Sequence, residues 1–316
     1  MSTLAVFSAS QHRDYSFLAP ITALFWRDVI GHTPRVLLTG AEAEWSAPGS
    51  KADNRYRFGT QTALQALRSF GIETTFVPMP AGAIWQTATW AQVIRPNVVA
   101  DASIPADQWV IMSDADLWPL RRSFYVQHEG ASRARLVSYY SNGDHFFGKA
   151  NVLERFTARM PFQTLPMCHV AMRASEWRTL LGISLMNEPS IAASADYHLA
   201  EYDRSFLAHF AGPDRGMAIW CADQYMLTHR ICAQDWFPSE ALLIQRRGLP
   251  PDDRLDRGNW RDWSPDRFDA DRWTDAHVHK GPEEPERWAT LLPVIDALMP
   301  QHSSWARAYR EDYCRA

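Results

Sequence analysis

The chain has 316 residues, of which 46% are hydrophobic, so it can bury a substantial core in one large domain or two ordinary ones. Its 32 basic and 36 acidic side chains give a formal charge of −4, and no block of Lys and Arg stands out, which argues against a nucleic-acid partner. The four cysteines form no C-x-x-C pair, no signal peptide precedes the first strand pattern, and no apolar run approaches ~18 residues. The sequence therefore predicts a cytoplasmic protein without a transmembrane segment.

The first half of the chain alternates strand and helix patterns. Short apolar runs predict strands at 4–10, 35–40, 72–78 and 109–114. Apolar residues at helical spacing predict the helices between them, over 15–31, 52–71 and 88–100, with the last one bent or ended near Pro96. This alternation is typical of an open, mostly parallel α/β sheet flanked by helices, which binds its ligands beyond the carboxyl ends of the strands.

The second half is less regular. The patterns predict a strand at 133–141, a strand running into a helix at 168–182, a helix at 220–234 and a strand at 241–248. A polar stretch at 254–273, rich in Arg, Asp and Trp, predicts a long loop or lid. A final helix at 288–298 precedes a tail.

The stretch WVIMSDADLWPL, residues 109–120, ends an apolar strand in two aspartates, Asp114 and Asp116. One interpretation is an ordinary turn or cap. A calcium loop is a second, but its D-x-D-x-D-G continuation is missing because Leu117, Trp118 and Pro119 follow. The third is a site where Mn²⁺ or Mg²⁺ bridges the carboxylates and a substrate diphosphate, since these ions take one or two carboxylates and leave positions for phosphate oxygens.

The segment VIMSDADLWPL resembles the D-x-D segment of the GT-A glycosyltransferases, which use nucleotide-sugar donors. Further segments follow in the order and rough spacing of the glycogenin and bacterial galactosyltransferase family. The resemblance implies a single GT-A-like, Rossmann-type domain over residues 1–316. It implies a nucleotide-binding half at 1–120, an acceptor and reaction-centre half at 121–250, and a C-terminal lid, metal-histidine segment and tail at 251–316.

The resemblance also assigns residues to the donor and to the reaction centre. In FSASQHRDY, it implies contacts to the base and ribose, and WAQVIRP matches the helix whose Arg reaches the donor sugar and diphosphate. WCADQYML resembles the block in which an Asp-Gln pair lies beside the anomeric carbon. The implied donor-binding residues are Ser8, Ser10, Asp14, Tyr15 and Arg95, and the implied catalytic residues are Asp223 and Gln224.

The segment HVHKGP, followed by Trp288, resembles the family's C-terminal His-x-x-Gly…Lys-Pro-Trp element. It implies that Asp114 and Asp116, with His279 or His277, bind Mn²⁺ or Mg²⁺, and that Lys280 lies near the diphosphate, as does Asp114. The element is altered here: the Lys-Pro-Trp is not intact, and the Gly follows His279 by two residues and His277 by four. Of the two histidines, His279 is preferred.

The implied function is the metal-dependent transfer of a sugar from a UDP-sugar to a hydroxyl of a glycan or glycolipid acceptor, with retention favoured over inversion. A sugar-phosphate nucleotidyltransferase is one alternative, but it would usually have a Gly-rich loop after the first strand, and SASQHRDY has no glycine. A carbohydrate-binding protein could use the 14 tryptophans, but it would not need a buried D-A-D. The tail also suggests peripheral membrane contact, through Trp305, Arg307, Tyr309 and Arg310.

Overall fold

The computed structural model describes residues 2–47, 59–83, 85–139, 165, 167–187, 189–205, 207–209, 212–244, 254–255, 269 and 272–315. The chain falls into two compact units, each built from segments that are distant in the sequence. The terminal unit comprises 2–76, 114–127 and 247–316, and the middle unit comprises 77–113 and 128–246. The assignment of 1–316 to a single catalytic domain stays a prediction.

The described residues contain ten strands. They are β1 (Leu4–Ala9), β2 (Thr33–Thr39), β3 (Glu73–Val77), β4 (Trp109–Met112), β5 (Leu117–Pro119), β6 (Leu136–Ser138), β7 (Val170–Arg173), β8 (Ala241–Leu243), β9 (Arg254–Leu255) and β10 (Asp275–His277). The four strands predicted in the first half are therefore confirmed as β1 to β4. The stretch 254–273 begins with β9 instead of a loop, and most of its remaining residues lie outside the described ranges.

The strands of each unit are arranged separately. In the terminal unit, β3, β2 and β1 are adjacent in that order, with β1 parallel to β2, and β10 pairs with β5 antiparallel and with β9 parallel. In the middle unit the order is β4-β7-β6-β8. Only β7 in this set runs against its neighbours, so β4, β6 and β8 share one direction. The predicted α/β class with mostly parallel strands is confirmed.

Helices lie between these strands in the described ranges. The α-helices are Arg13–Leu24, Glu42–Ser46, Thr60–Ser69, Thr87–Ile94, Arg122–Tyr125, Gln127–Gly130, Ala174–Leu180, Ile191–Ser205, Gly212–Trp220, Ala222–Cys232, Pro285–Leu298 and Ser303–Arg315. The first continues as a π-helix, Phe25–Ile30, which ends at Gly31 with a φ of 83° that favours glycine. The helix at 87–94 gives way to a 3₁₀ turn at Pro96, as predicted. None of these helices combines the length and apolar character needed to cross a bilayer.

The core of the terminal unit is rich in aromatic rings, and the helix Ser303–Arg315 contributes Tyr309 and Tyr313 to it, with Trp305 packed against it. Tyr309 is 3% exposed, stacks on Phe17 with centroids 5.3 Å apart, and stacks on Trp305 at 5.0 Å. The segment predicted as a tail is therefore a packed helix. Because Tyr309 faces the core, it is not exposed for the peripheral membrane contact suggested by the sequence.

Candidate functional site

The D-A-D segment opens the stretch of the terminal unit that leads into β5. Asp114 is half-buried and Asp116 is 6% exposed. The Leu117 amide donates to the Asp114 carbonyl at 3.3 Å, and the Thr22 hydroxyl donates to the Ala115 carbonyl at 2.5 Å. A helix side chain therefore fixes the turn between the two aspartates, so the Asp116 carboxylate is held by ordered backbone.

His277 lies directly opposite this turn, on β10. His277 pairs in register with Leu117, and the Val278 amide donates to the Asp116 carbonyl at 2.8 Å. This pairing brings His277 Nε2 to 3.7 Å from Asp116 Oδ2, with side-chain exposures of 13% and 9%. This distance is longer than a direct hydrogen bond. The carboxylate and the imidazole therefore face each other without bonding directly, in a largely buried position.

His279 takes a different direction. Its Nε2 is 3.2 Å from the Thr290 hydroxyl, on the helix that begins at Pro285. β10 ends at His277, and His279 follows the strand. The structure brings His277 to Asp116, whereas His279, the preferred ligand in the sequence analysis, contacts Thr290.

The residues expected to hold the base and ribose surround the end of β1. Ser8 and Ser10 are buried, and the Ser10 hydroxyl accepts from the His12 amide at 3.3 Å. Asp14 lies in the first turn of the next helix, where its Oδ1 accepts from the Gly281 amide at 3.1 Å. Tyr15 is half-buried, with its ring centroid 5.6 Å from that of His12.

Asp14 is therefore partly engaged within the protein, and its contact ties this turn to the segment after His279. Lys280, the expected diphosphate ligand, is exposed beside Gly281. The structure thus brings the first-strand loop and the HVHKGP segment together within the terminal unit.

A second cluster lies in the middle unit, where Arg95 and Asp223 form a buried ion pair. Arg95 Nη2 is 2.5 Å from Asp223 Oδ2, and the side chains are 5% and 2% exposed. Arg95 also donates to the Ser113 carbonyl at 2.6 Å, at the residue that precedes Asp114 in the sequence. Two residues assigned to different roles, donor binding and catalysis, are therefore direct partners.

Each oxygen of Asp223 accepts a hydrogen bond, Oδ2 from Arg95 Nη2 and Oδ1 from the Gln224 amide at 2.8 Å. In the described part of the chain, Gln224 Oε1 is buried and has no hydrogen-bond partner. Burial, with Asp223 as a second cause, raises the pKa of the neighbouring Cys221 thiol to about 12. That thiol stays protonated at neutral pH and is not a nucleophile.

The sequence analysis missed a buried ion pair two residues before His277. Arg254 Nε and Nη2 donate to Asp275 Oδ1 at 2.7 Å and Oδ2 at 3.0 Å, with side-chain exposures of 1% and 0%. The Tyr125 hydroxyl donates to the same Oδ2 at 3.0 Å. The alternation of Asp275 and His277 in TDAHVH was a usable signal, because residues two apart on a strand share a face.

The donor set fits a hard divalent cation in part. Carboxylate and imidazole are accepted ligands of Mn²⁺ and Mg²⁺, and such ions commonly use few protein ligands and complete their shell with substrate phosphates. Within the ranges that the structure describes, no group of three or more His, Cys, Asp or Glu side chains is placed to hold a metal. Asp116 and His277 are thus two possible ligands.

Comparison with solved structures identifies the fold. The bifunctional glycosyltransferase WbbM superposes with a TM-score of 0.51 at 10% identity, over 98% of this chain and 51% of that chain. The chain has the GT-A fold. It spans about half the length of WbbM. No protein-family model matches the sequence, and no curated protein matches it.

Two further structures are similar to this GT-A chain at lower scores. The galactosyltransferase LgtC, in complex with donor and acceptor sugar analogs, has a TM-score of 0.49 at 11% identity and covers 94% of this chain and 96% of its own. The glycosyltransferase GlyE of Streptococcus pneumoniae TIGR4 has a TM-score of 0.43 at 9% identity, over 97% of this chain and 64% of that chain. The predicted GT-A fold class is confirmed.

Proposed function

We propose that this chain is a glycosyltransferase that moves a sugar from a UDP-sugar to a hydroxyl of a glycan or glycolipid acceptor. The observation that carries the proposal is the facing pair of Asp116 and His277, built by β5 and β10 directly after a D-x-D turn. In a GT-A fold this turn is where a metal–diphosphate site is expected. The His277 imidazole lies 3.7 Å from the second carboxylate of this turn, and both groups are accepted ligands of Mn²⁺ and Mg²⁺.

Asp116 and His277 would hold Mn²⁺ or Mg²⁺, with Asp114 completing the protein's contribution. The bound ion would neutralise the charge that develops on the departing diphosphate. His279 is the weaker candidate because its Nε2 contacts Thr290. Buried surroundings favour this role for Asp116, since a charge interaction is stronger where water is excluded.

The donor nucleotide would bind at the carboxyl end of β1. Ser8, Ser10 and Tyr15 are the proposed contacts to base and ribose, and the exposed ammonium of Lys280 is free to move toward a diphosphate. Asp14 has one oxygen committed to the Gly281 amide, so we assign it a smaller share of the nucleotide contact.

The proposed reaction centre is Asp223 with Gln224. A general base must accept a proton from the acceptor hydroxyl, and both Asp223 oxygens already accept from Arg95 and from the Gln224 amide. These two bonds hold the carboxylate in one orientation, and we assign Asp223 to the electrostatic stabilisation of a positively charged sugar centre, with retention kept as the favoured outcome. The buried Gln224 Oε1 supplies an acceptor for a sugar hydroxyl.

Thermal stability against a nucleotide panel tests the proposal. UDP or a UDP-sugar with Mn²⁺ should raise the melting temperature of the wild type, since a ligand that binds only the folded state stabilises it. EDTA should abolish the shift, and so should Asp116→Ala and His277→Ala. His279→Ala is the matched control and should keep the shift. If no nucleotide shifts the wild type with or without Mn²⁺, the glycosyltransferase proposal is wrong.

A further inference from the structure

A network of polar contacts joins the first helix turn to the segment after Lys280, both in the terminal unit. Arg13 Nε contacts Glu283 Oε1 as an ion pair, and Asp14 Oδ1 accepts from the Gly281 amide at 3.1 Å. Arg13 and Asp14 of the helix turn therefore contact Glu283 and Gly281 of the later segment. We call these two contacts the Arg13–Glu283 clasp.

The helix Ser303–Arg315 donates a hydrogen bond to each side of the clasp. Arg310 Nε donates to the Glu283 carbonyl at 2.8 Å, and the Tyr313 hydroxyl donates to the Arg13 carbonyl at 2.8 Å. Tyr313 also lies 2.7 Å from the Ser16 hydroxyl. Since Tyr313 is fully buried, its hydrogen bond anchors the clasp to the core.

Burying the Glu283 carboxylate at this position costs free energy of folding. Its side chain is 1% exposed, whereas that of its partner Arg13 is 34% exposed. Burial raises the pKa of the Glu283 carboxyl and outweighs the opposing effects of a backbone hydrogen bond and of Arg13, while Asp14 and Glu284 raise the pKa further. A neutral glutamine of the same shape would avoid this cost, so the carboxylate is not explained by stability.

We propose that Glu283 is a positioning residue for the donor nucleotide, acting through Arg13 to fix the His12–Tyr15 turn. The inference rests on the proposed function, because that turn carries Asp14 and Tyr15 of the proposed base and ribose contacts. Since the Gly281 amide follows His279 and Lys280 directly, the clasp couples the nucleotide turn to the segment that carries His277. The affinity for the donor nucleotide then depends on the Glu283 carboxylate, although this group contacts neither the donor nor the metal.

Glu283→Gln tests this, with Glu284→Gln as the matched control one residue away. Glu284 is 52% exposed and pairs only weakly along its own helix turn with Arg287, at 3.5 Å. We expect Glu283→Gln to melt at or above the wild-type temperature and to bind UDP with Mn²⁺ at least tenfold more weakly. The KM for the donor should rise by a similar factor, with kcat within about twofold. Glu284→Gln should keep the wild-type UDP affinity, KM and kcat.

Arg13→Gln breaks the same ion pair from its more exposed end and guards against misfolding of the first variant. It should weaken UDP binding equally but lower the melting temperature, because it leaves Glu283 buried without its cation. Unchanged UDP affinity in both folded variants would overturn the positioning role while leaving the proposed function intact. Absence of UDP binding in the wild type itself would overturn both.

Discussion

Replacing Arg254 with Met should destabilise the terminal unit strongly, although the change keeps most of the side chain's length. Arg254 and Asp275 are 1% and 0% exposed and share two charge-assisted hydrogen bonds. Asp275 accepts these two bonds and a third from the Tyr125 hydroxyl. In the variant, only the third of these bonds remains, and Asp275 is still a buried carboxylate. Removing one member of a buried pair costs about 3–5 kcal/mol.

Urea unfolding measures this loss. With an m-value of about 3 kcal/mol/M, the upper end for small proteins, the midpoint should fall by about 1–2 M. Arg68→Met is the matched control in the same unit, because Arg68 and its partner Glu42 are 51% and 58% exposed. An exposed pair contributes about 0–1 kcal/mol, so the control midpoint should fall by at most about 0.3 M.

The double variant Arg254→Met with Asp275→Leu separates the two effects in this loss. It also removes the buried Asp275 carboxylate and should recover most of the lost stability. Apolar replacements of buried ion pairs often leave the stability unchanged or raise it. The reasoning is refuted if Arg254→Met shifts the midpoint no further than Arg68→Met.

Three further outcomes are expected. Asp223→Asn should lower kcat by a factor on the order of 10²–10³ while the UDP affinity, measured by titration, stays within about twofold; an unchanged kcat would remove Asp223 from the reaction centre. Gly59→Ala should cost about 1–3 kcal/mol more in urea unfolding than Gly71→Ala. Both glycines have φ above 60°, but a Cβ at Gly59 meets the Tyr313 ring at 2.4 Å and one at Gly71 meets nothing within 4 Å, so equal losses would contradict this packing account. Burial lowers the pKa of His32 to about 4, so the unfolded chain takes up this proton first as the pH falls below about 6.5. The free energy of unfolding should drop by up to about 3 kcal/mol between pH 6.5 and 4. In His32→Asn, this contribution to the pH dependence of the unfolding free energy should be absent.

The sequence by itself determined the alternation of elements and the position of the acidic turn. Buried strands such as LAVFSAS and WVIMSD consist of apolar residues bounded by small polar ones, and this local pattern is strong enough to identify them. Pro96 and Gly31 likewise end their helices through backbone restrictions that need no partner.

Contacts between residues far apart in the chain were decided only by the tertiary structure. His277 rather than His279 lies opposite Asp116 because β10 pairs with β5 up to His277 and ends there, whereas His279 follows the strand and contacts Thr290. The pairing of Arg95 with Asp223 joins residues 128 positions apart, and that of Arg13 with Glu283 joins opposite ends of the chain. Composition and spacing report which residues are chemically able to act, whereas the packing of helices and strands decides which of them meet.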